Sequence, residues 1–163
     1  MGTPERLFVT AGELLIIREL IVCWFPNLEN EIYCAESERT DDYDCIAWAA
    51  DDCDNWWEPT RDPLDGYWPI RWRAYHKDCY IEAFRVSGNY EVCAIDFALE
   101  PNYEKVVLYV DVNDRPTHMA RQLSSGMWTS KLGKSWDILH QTPSGVEGPR
   151  YGNAVIVMRR PVP

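Results

Sequence analysis

The spacing of apolar residues changes partway along this 163-residue chain, and that change limits the folds open to it. Before about residue 88 the periodic stretches are helical. Leu14, Leu15, Ile17, Ile21 and Val22 recur as on one helix face. From Tyr90 on, the pattern alternates. The segments Tyr90 to Ala94, Glu104 to Asp111, His118 to Leu123, Met127 to Lys131 and Ala154 to Arg159 read as strands. Asn113-Asp114-Arg115-Pro116 and Ser124-Ser125-Gly126 supply turns between them. Helices first and strands later predict an α+β fold, N-terminal helices packed on an antiparallel β-sheet. The length suits a single domain over residues 1–163.

The helix boundaries carry their own signals. Thr10-Ala11-Gly12-Glu13 has the form of a capping box, opening a helix to about Cys23, ahead of Pro26. Glu31 to Ala35 reads as a short strand. Thr40, Asp41 and Asp42 suit a helix N-terminus before Cys45, with Asp41 and Asp42 expected on the free amides and the helix running to about Asp51. Residues 53–69 hold four prolines or glycines beside Trp56, Trp57 and Trp68 and read as a long ordered loop. A further helix spans His76 to Val86, with Gly88 near its C-terminal cap.

The net charge of −10 excludes the cationic footprint a nucleic-acid binder needs, and an acidic membrane surface would repel the chain. Eleven acids face two arginines between Glu36 and Asp65. That run reads as a solvated rim or, more sharply, as a lure for a basic protein partner. No apolar run is long enough to span a bilayer. The start of the chain has neither the apolar core of a signal peptide nor, after Gly2, the hydroxyl residue that myristoylation needs. The expectation is synthesis in the cytoplasm, with export only by a specialised secretion system. Six cysteines without a signal peptide read as free thiols. No C-x-x-C pair occurs and His is scarce, so no metal site is expected. Cys23 and Cys93 read as small core residues.

The chemistry-bearing pair is Cys45, in Tyr43-Asp44-Cys45-Ile46-Ala47-Trp48-Ala49-Ala50, and His118, in Thr117-His118-Met119-Ala120. A thiol opening a helix gains from free amides and the helix dipole, which can bring its pKa from ~8.5 toward ~7. A histidine at a strand start can serve as its base. Asp41, Asp42 and Asp44 oppose this if they point inward. The structural alternative for His118 is an edge histidine in an ordinary hydrogen bond.

The order of these elements resembles the NlpC-type papain-like hydrolases. In that family an aspartate precedes a helix-opening cysteine, a strand begins with the base histidine, and a third polar residue stands on the next strand. Tyr43-Asp44-Cys45 matches the first element and Lys105 to Val110 the strand before the histidine. His118 matches the base, and Ser130, twelve residues on, the third position. The Cys-Ile-Ala-Trp-Ala and Trp-Thr-Ser-Lys-Leu-Gly segments are also similar to a group of uncharacterised bacterial proteins. The resemblance covers roughly Thr40 to Gly152. It departs at Ile46-Ala47, where the family has Ser-Gly, and at Ser130, where it has His, Asn, Asp or Gln. Asp137 or His140 could orient the base instead if their segment folds back. Trp128, Thr129 and Lys131 read more simply as hairpin pairs and a surface charge.

The resemblance implies a papain-like cysteine hydrolase with Cys45, His118 and Ser130 as its catalytic residues and no cofactor. The chain would cleave or deamidate an amide of a peptide or protein, as a bacterial effector amidase would. Trp56, Trp57, Trp68, Asp137 and His140 are the candidate substrate-binding residues. The tryptophans read first as wedges anchoring the loop and, more sharply, as a cleft wall. The rival is a non-catalytic acidic binding or inhibitor protein on the same fold.

Overall fold

A computed structural model describes residues 3–60, 62, 64 and 66–163. Met1, Gly2 and three positions of the long acidic loop, Arg61, Pro63 and Asp65, lie outside the described residues. The fold is α+β. Helix α1 (Ala11–Trp24) precedes a 3-10 turn (Pro26–Asn30), β1 (Tyr33–Ala35), α2 (Cys45–Ala49) and α3 (Lys77–Gly88). The strands β2 (Glu91–Cys93), β3 (Tyr103–Val110), β4 (Pro116–Gln122), β5 (Trp128–Lys131), β6 (Asp137–His140) and β7 (Asn153–Pro161) follow. Together with β1 they form one seven-stranded sheet, ordered β1-β6-β5-β4-β3-β7-β2, with every pair antiparallel.

The capping box forms: Thr10 Oγ1 accepts from the Glu13 amide at 3.2 Å, and Glu13 Oε2 accepts from the Thr10 amide at 2.8 Å. Helix α1 buries Ile17 and Ile21, then Phe25 and Leu28 of the turn, against one face of the sheet with Val107, Tyr109, Ala120, Trp128, Ile138 and Val157. Helices α2 and α3 cover the other face. Ile46, Ala47, Ala49, Cys79, Tyr80, Ala83 and Phe84 pack there with Val106, Leu108, Met119 and Met158. Strand alternation therefore sends successive residues of β3, β4 and β7 into two separate cores.

Several expectations change. Strand β1 is shorter than expected because Pro26–Asn30 winds into a 3-10 turn. Helix α3 ends through Asn89 in the left-handed conformation, with Gly88 its last helical residue. Cys23 is exposed rather than buried, because it lies off the α1 stripe that carries Ile17 and Ile21. Cys93 is part-buried. Strand β6, in a segment that the sequence pattern leaves unassigned, completes the sheet beyond β5. Gly152 sits at φ 73°, where an added Cβ would lie 1.8 Å from the Val110 carbonyl oxygen. Only glycine lets β7 enter the sheet this close to β3, and this entry places the preceding Tyr151.

Candidate functional site

Helix α2 is five residues long and is capped by Asp44, not by Asp41 or Asp42. Asp44 Oδ1 accepts from the Ala47 amide at 2.9 Å and from the Trp57 amide at 3.2 Å, which ties the long loop to the helix start. Asp44 is buried, and desolvation pushes its carboxyl up to about 7 against the pull of those two amides. Cys45 is part-buried. Desolvation first, and the adjacent Asp44 charge second, push its thiol well above the ordinary range, while the Met119 amide against the sulfur pulls the other way. So short a helix lends little dipole, and the depressed pKa expected for Cys45 is not what its surroundings produce.

Helix α2 lies across β4 and β5. The Trp48 indole N–H donates to Thr129 Oγ1 at 3.0 Å, and the Arg121 guanidinium lies 5.1 Å from the Trp48 ring centre. β4 pairs with β5 only at Arg121–Thr129 and Gln122–Trp128. From Pro116 to Ala120 it pairs with β3 alone. The Met119 amide, with the Cys45 sulfur against it, belongs to this half-unpaired segment.

His118 is fully buried on the opposite face, beside Tyr109 and stacked on Tyr151 at 3.9 Å with the rings 3° from parallel. Its Nε2 lies 2.9 Å from Ser130 Oγ, which lies 2.9 Å from His140 Nε2. His140 Nδ1 lies 2.8 Å from the Thr142 carbonyl oxygen. The carbonyl fixes the direction of the whole chain. It only accepts, so His140 Nδ1 carries the proton. Burial holds His140 neutral, its pKa pushed down to about 4, so its Nε2 is an acceptor. Ser130 therefore donates to His140 and accepts from His118 Nε2–H. Burial, with His140 second, holds His118 neutral as well, which leaves its Nδ1 unprotonated. That nitrogen has no hydrogen-bond partner among the described residues.

The structure thus brings His118, Ser130 and His140 together. It does not form the hydrogen bond expected between Cys45 and His118. Strand alternation turns the imidazole to the α1 face while α2 holds the thiol on the other.

Asp137 and His140 are expected as substrate-binding residues or as orienters of the base. Both are on β6 and buried, His140 inside the chain just described. Asp137 Oδ2 accepts from the Tyr43 hydroxyl at 2.6 Å, and its backbone amide donates to Ser37 Oγ at 3.0 Å. Asp137 also lines a cavity of about 300 Å³ with Arg6, Glu36, Ser37 and Trp48. Lys131, expected as a surface charge, is fully buried. Its Nζ donates to the Thr40 carbonyl at 2.8 Å and to the Ser135 carbonyl, and lies 5.2 Å from the Tyr43 ring centre. Trp57 and Trp68 are buried wedges, their indoles donating to Asp52 at 2.7 Å and to the Trp72 carbonyl at 3.0 Å, so neither lines an open cleft. Trp56 is part-buried. Among the described residues no cluster of His, Cys, Asp or Glu could hold a metal ion, and no helix is long and apolar enough to cross a membrane.

Fold and geometry together define an α+β domain with a polarised imidazole–hydroxyl–imidazole chain in its core. Residues 34–159 match the family described as a domain of unknown function, DUF7689, and the chain belongs to that family. No curated protein matches the chain. No solved structure matches it.

Proposed function

We propose that the chain is a papain-like cysteine hydrolase acting on an amide bond by acyl transfer. The observation that carries this reading is the direction of the His118–Ser130–His140 chain, which leaves His118 Nδ1 as a bare, oriented base on the strand whose Met119 amide pulls the Cys45 thiol pKa down. Ser130 takes the part of the orienting residue and His140 holds Ser130. The resting thiol stays protonated, so the proton leaves as attack proceeds. The Cys45 sulfur bonds to the acyl carbon, its proton passes to His118 Nδ1, and the leaving amine takes that proton as the C–N bond breaks. Water then hydrolyses the thioester. The mechanism requires the Cys45 thiol to reach His118 Nδ1 past the margin of β4 that β5 leaves unpaired.

A second reading is favoured by one observation: burial and Asp44 keep the thiol neutral, and no hydrogen bond joins it to His118. That suits a non-catalytic acidic binding protein. Acylation by 4-nitrophenyl acetate separates the two. The hydrolase reading expects one acetyl group per chain, mapped by mass spectrometry to Cys45 ahead of the exposed Cys23. His118→Gln should slow it about 100-fold or more, the worth of a general base. Ser130→Ala should slow it about tenfold. Acetylation spread over several thiols, and indifferent to His118, leaves the binding protein.

A further inference from the structure

We propose a binding site for an organic carboxylate in the pocket between the end of α1, the β5–β6 turn and the approach to β7. The pocket encloses about 350 Å³, and its apolar wall is Trp24, Phe25, Leu132 and Tyr151. Its polar lining is Arg39, Lys134, Arg150 and Ser135.

Three cations converge here on a protein of net charge −10 with 26 acids. Four arginines elsewhere, Arg85, Arg121, Arg159 and Arg160, are paired with carboxylates. Among the described residues Arg39, Lys134 and Arg150 form no ion pair. They lie instead against indoles: Arg39 is 5.2 Å from the Trp136 ring centre, Arg150 5.0 Å from Trp24, and Lys134 5.9 Å from Trp56. Trp24 and Trp136 stack on each other at 5.9 Å. A guanidinium resting on an indole keeps its N–H fork free for an anion.

The second observation is Ser135. It is 6% exposed, and its hydroxyl is buried with no hydrogen-bond partner. A buried hydroxyl left unpaired is costly, and a ligand acceptor within reach removes that cost. Two guanidinium forks, an ammonium and a hydroxyl donor fit a carboxylate. The aromatic and aliphatic wall favours an apolar body attached to it over a bare inorganic anion. The site stands on the pocket alone and needs no turnover at Cys45.

The test uses the whole chain and two probes of equal shape, N-acetylphenylalanine and its uncharged C-terminal amide, followed by calorimetry. The carboxylate should bind at least tenfold tighter than the amide. Arg150→Ala and Arg39→Ala, both at exposed positions, should each weaken it about tenfold. Ser135→Ala should weaken it severalfold while the fold, checked by circular dichroism, is unchanged. Equal binding of acid and amide, no binding of either at millimolar concentration, or inorganic phosphate binding as tightly as the carboxylate would each overturn the proposal.

Discussion

Two buried polar networks lie back to back on the β5–β6 pair, and they solve the cost of burying polar groups differently. On the α1 face, His118, Ser130 and His140 form a chain of neutral groups. On the other face, Lys131, Tyr43 and Asp137 form a chain of charged and polar ones, where Asp137 Oδ1 has no hydrogen-bond partner. Residues 130 and 131 are neighbours in sequence, yet strand alternation gives each its own network. The neutral chain fixes a tautomer, which is chemistry. The ionic one ties Thr40 and Tyr43 to the sheet, which places the start of α2 and Cys45 with it. One network holds His118 and the other places Cys45.

The ionic network should be the harder to break. Lys131→Met removes the cation near Asp137 and leaves the Thr40 and Ser135 carbonyls without their donor. Losing one member of a buried charged set typically costs about 3–5 kcal/mol. Urea unfolding should show a loss in that range. A loss below about 1 kcal/mol would mean that Lys131 is packed as hydrocarbon, and the contrast between the two faces would fail.

Acid should separate the neutral chain from the capping carboxylate. His140 has its folded pKa pushed down to about 4 by burial, so the stability it confers is present above its unfolded value near 6.5 and is lost as pH falls through 4. The loss is on the order of 3 kcal/mol. His118, shifted in the same direction, adds to it. Asp44 works with the opposite sign. Its folded pKa is pushed up to about 7, so its contribution is fully present below the unfolded value near 3.8 and is lost as pH rises through 7. The two effects flatten the wild-type profile between pH 4 and 7, and variants should tilt it. His140→Gln should grow more stable relative to wild type on acidification, and Asp44→Asn less stable. Parallel profiles from urea titrations at pH 7, 5.5 and 4 would refute both assignments.

The fold was legible where periodicity was long and boundaries were marked. The capping box at Thr10, the change of pattern near residue 88 and the glycine turn before Met127 all announce their elements. Strand β6 was harder because it is only four residues long and follows a Gly-Lys-Ser turn. Its signal was present: Trp136, Ile138 and His140 alternate with Asp137 and Leu139, and Pro143 ends the run. With β6 unseen, the place of His140 behind Ser130 was invisible, as was the cross-strand pairing of Lys131 with Asp137. A lysine in a hairpin reads as solvated unless its partners are known, and here two are backbone carbonyls, which leave no mark on sequence. The twelve-residue spacing did point to Ser130 beside His118, since adjacent antiparallel strands joined by a short turn bring such positions together. Which face each side chain takes relative to α2 was beyond reach, because the packing of a helix on a sheet is set by tertiary contacts.

The smallest expected effect sharpens the same contrast. Tyr43→Phe deletes one hydrogen bond, the 2.6 Å contact to Asp137 Oδ2, and keeps the ring on which Lys131 and Trp48 rest. The Asp137 carboxylate would then lose the Tyr43 donor, and its pKa, already raised by burial, would rise further. Lys131 would still supply charge nearby, so the loss should be about 1–2 kcal/mol, less than for Lys131→Met. The double variant decides whether these residues act together. If Tyr43, Asp137 and Lys131 form one network, the two losses should fail to add by at least about 0.5 kcal/mol in a double-mutant cycle. Strict additivity would show two separate anchors that share a face, and the contrast with the coupled His118–Ser130–His140 chain would then be between a network and a pair of independent contacts.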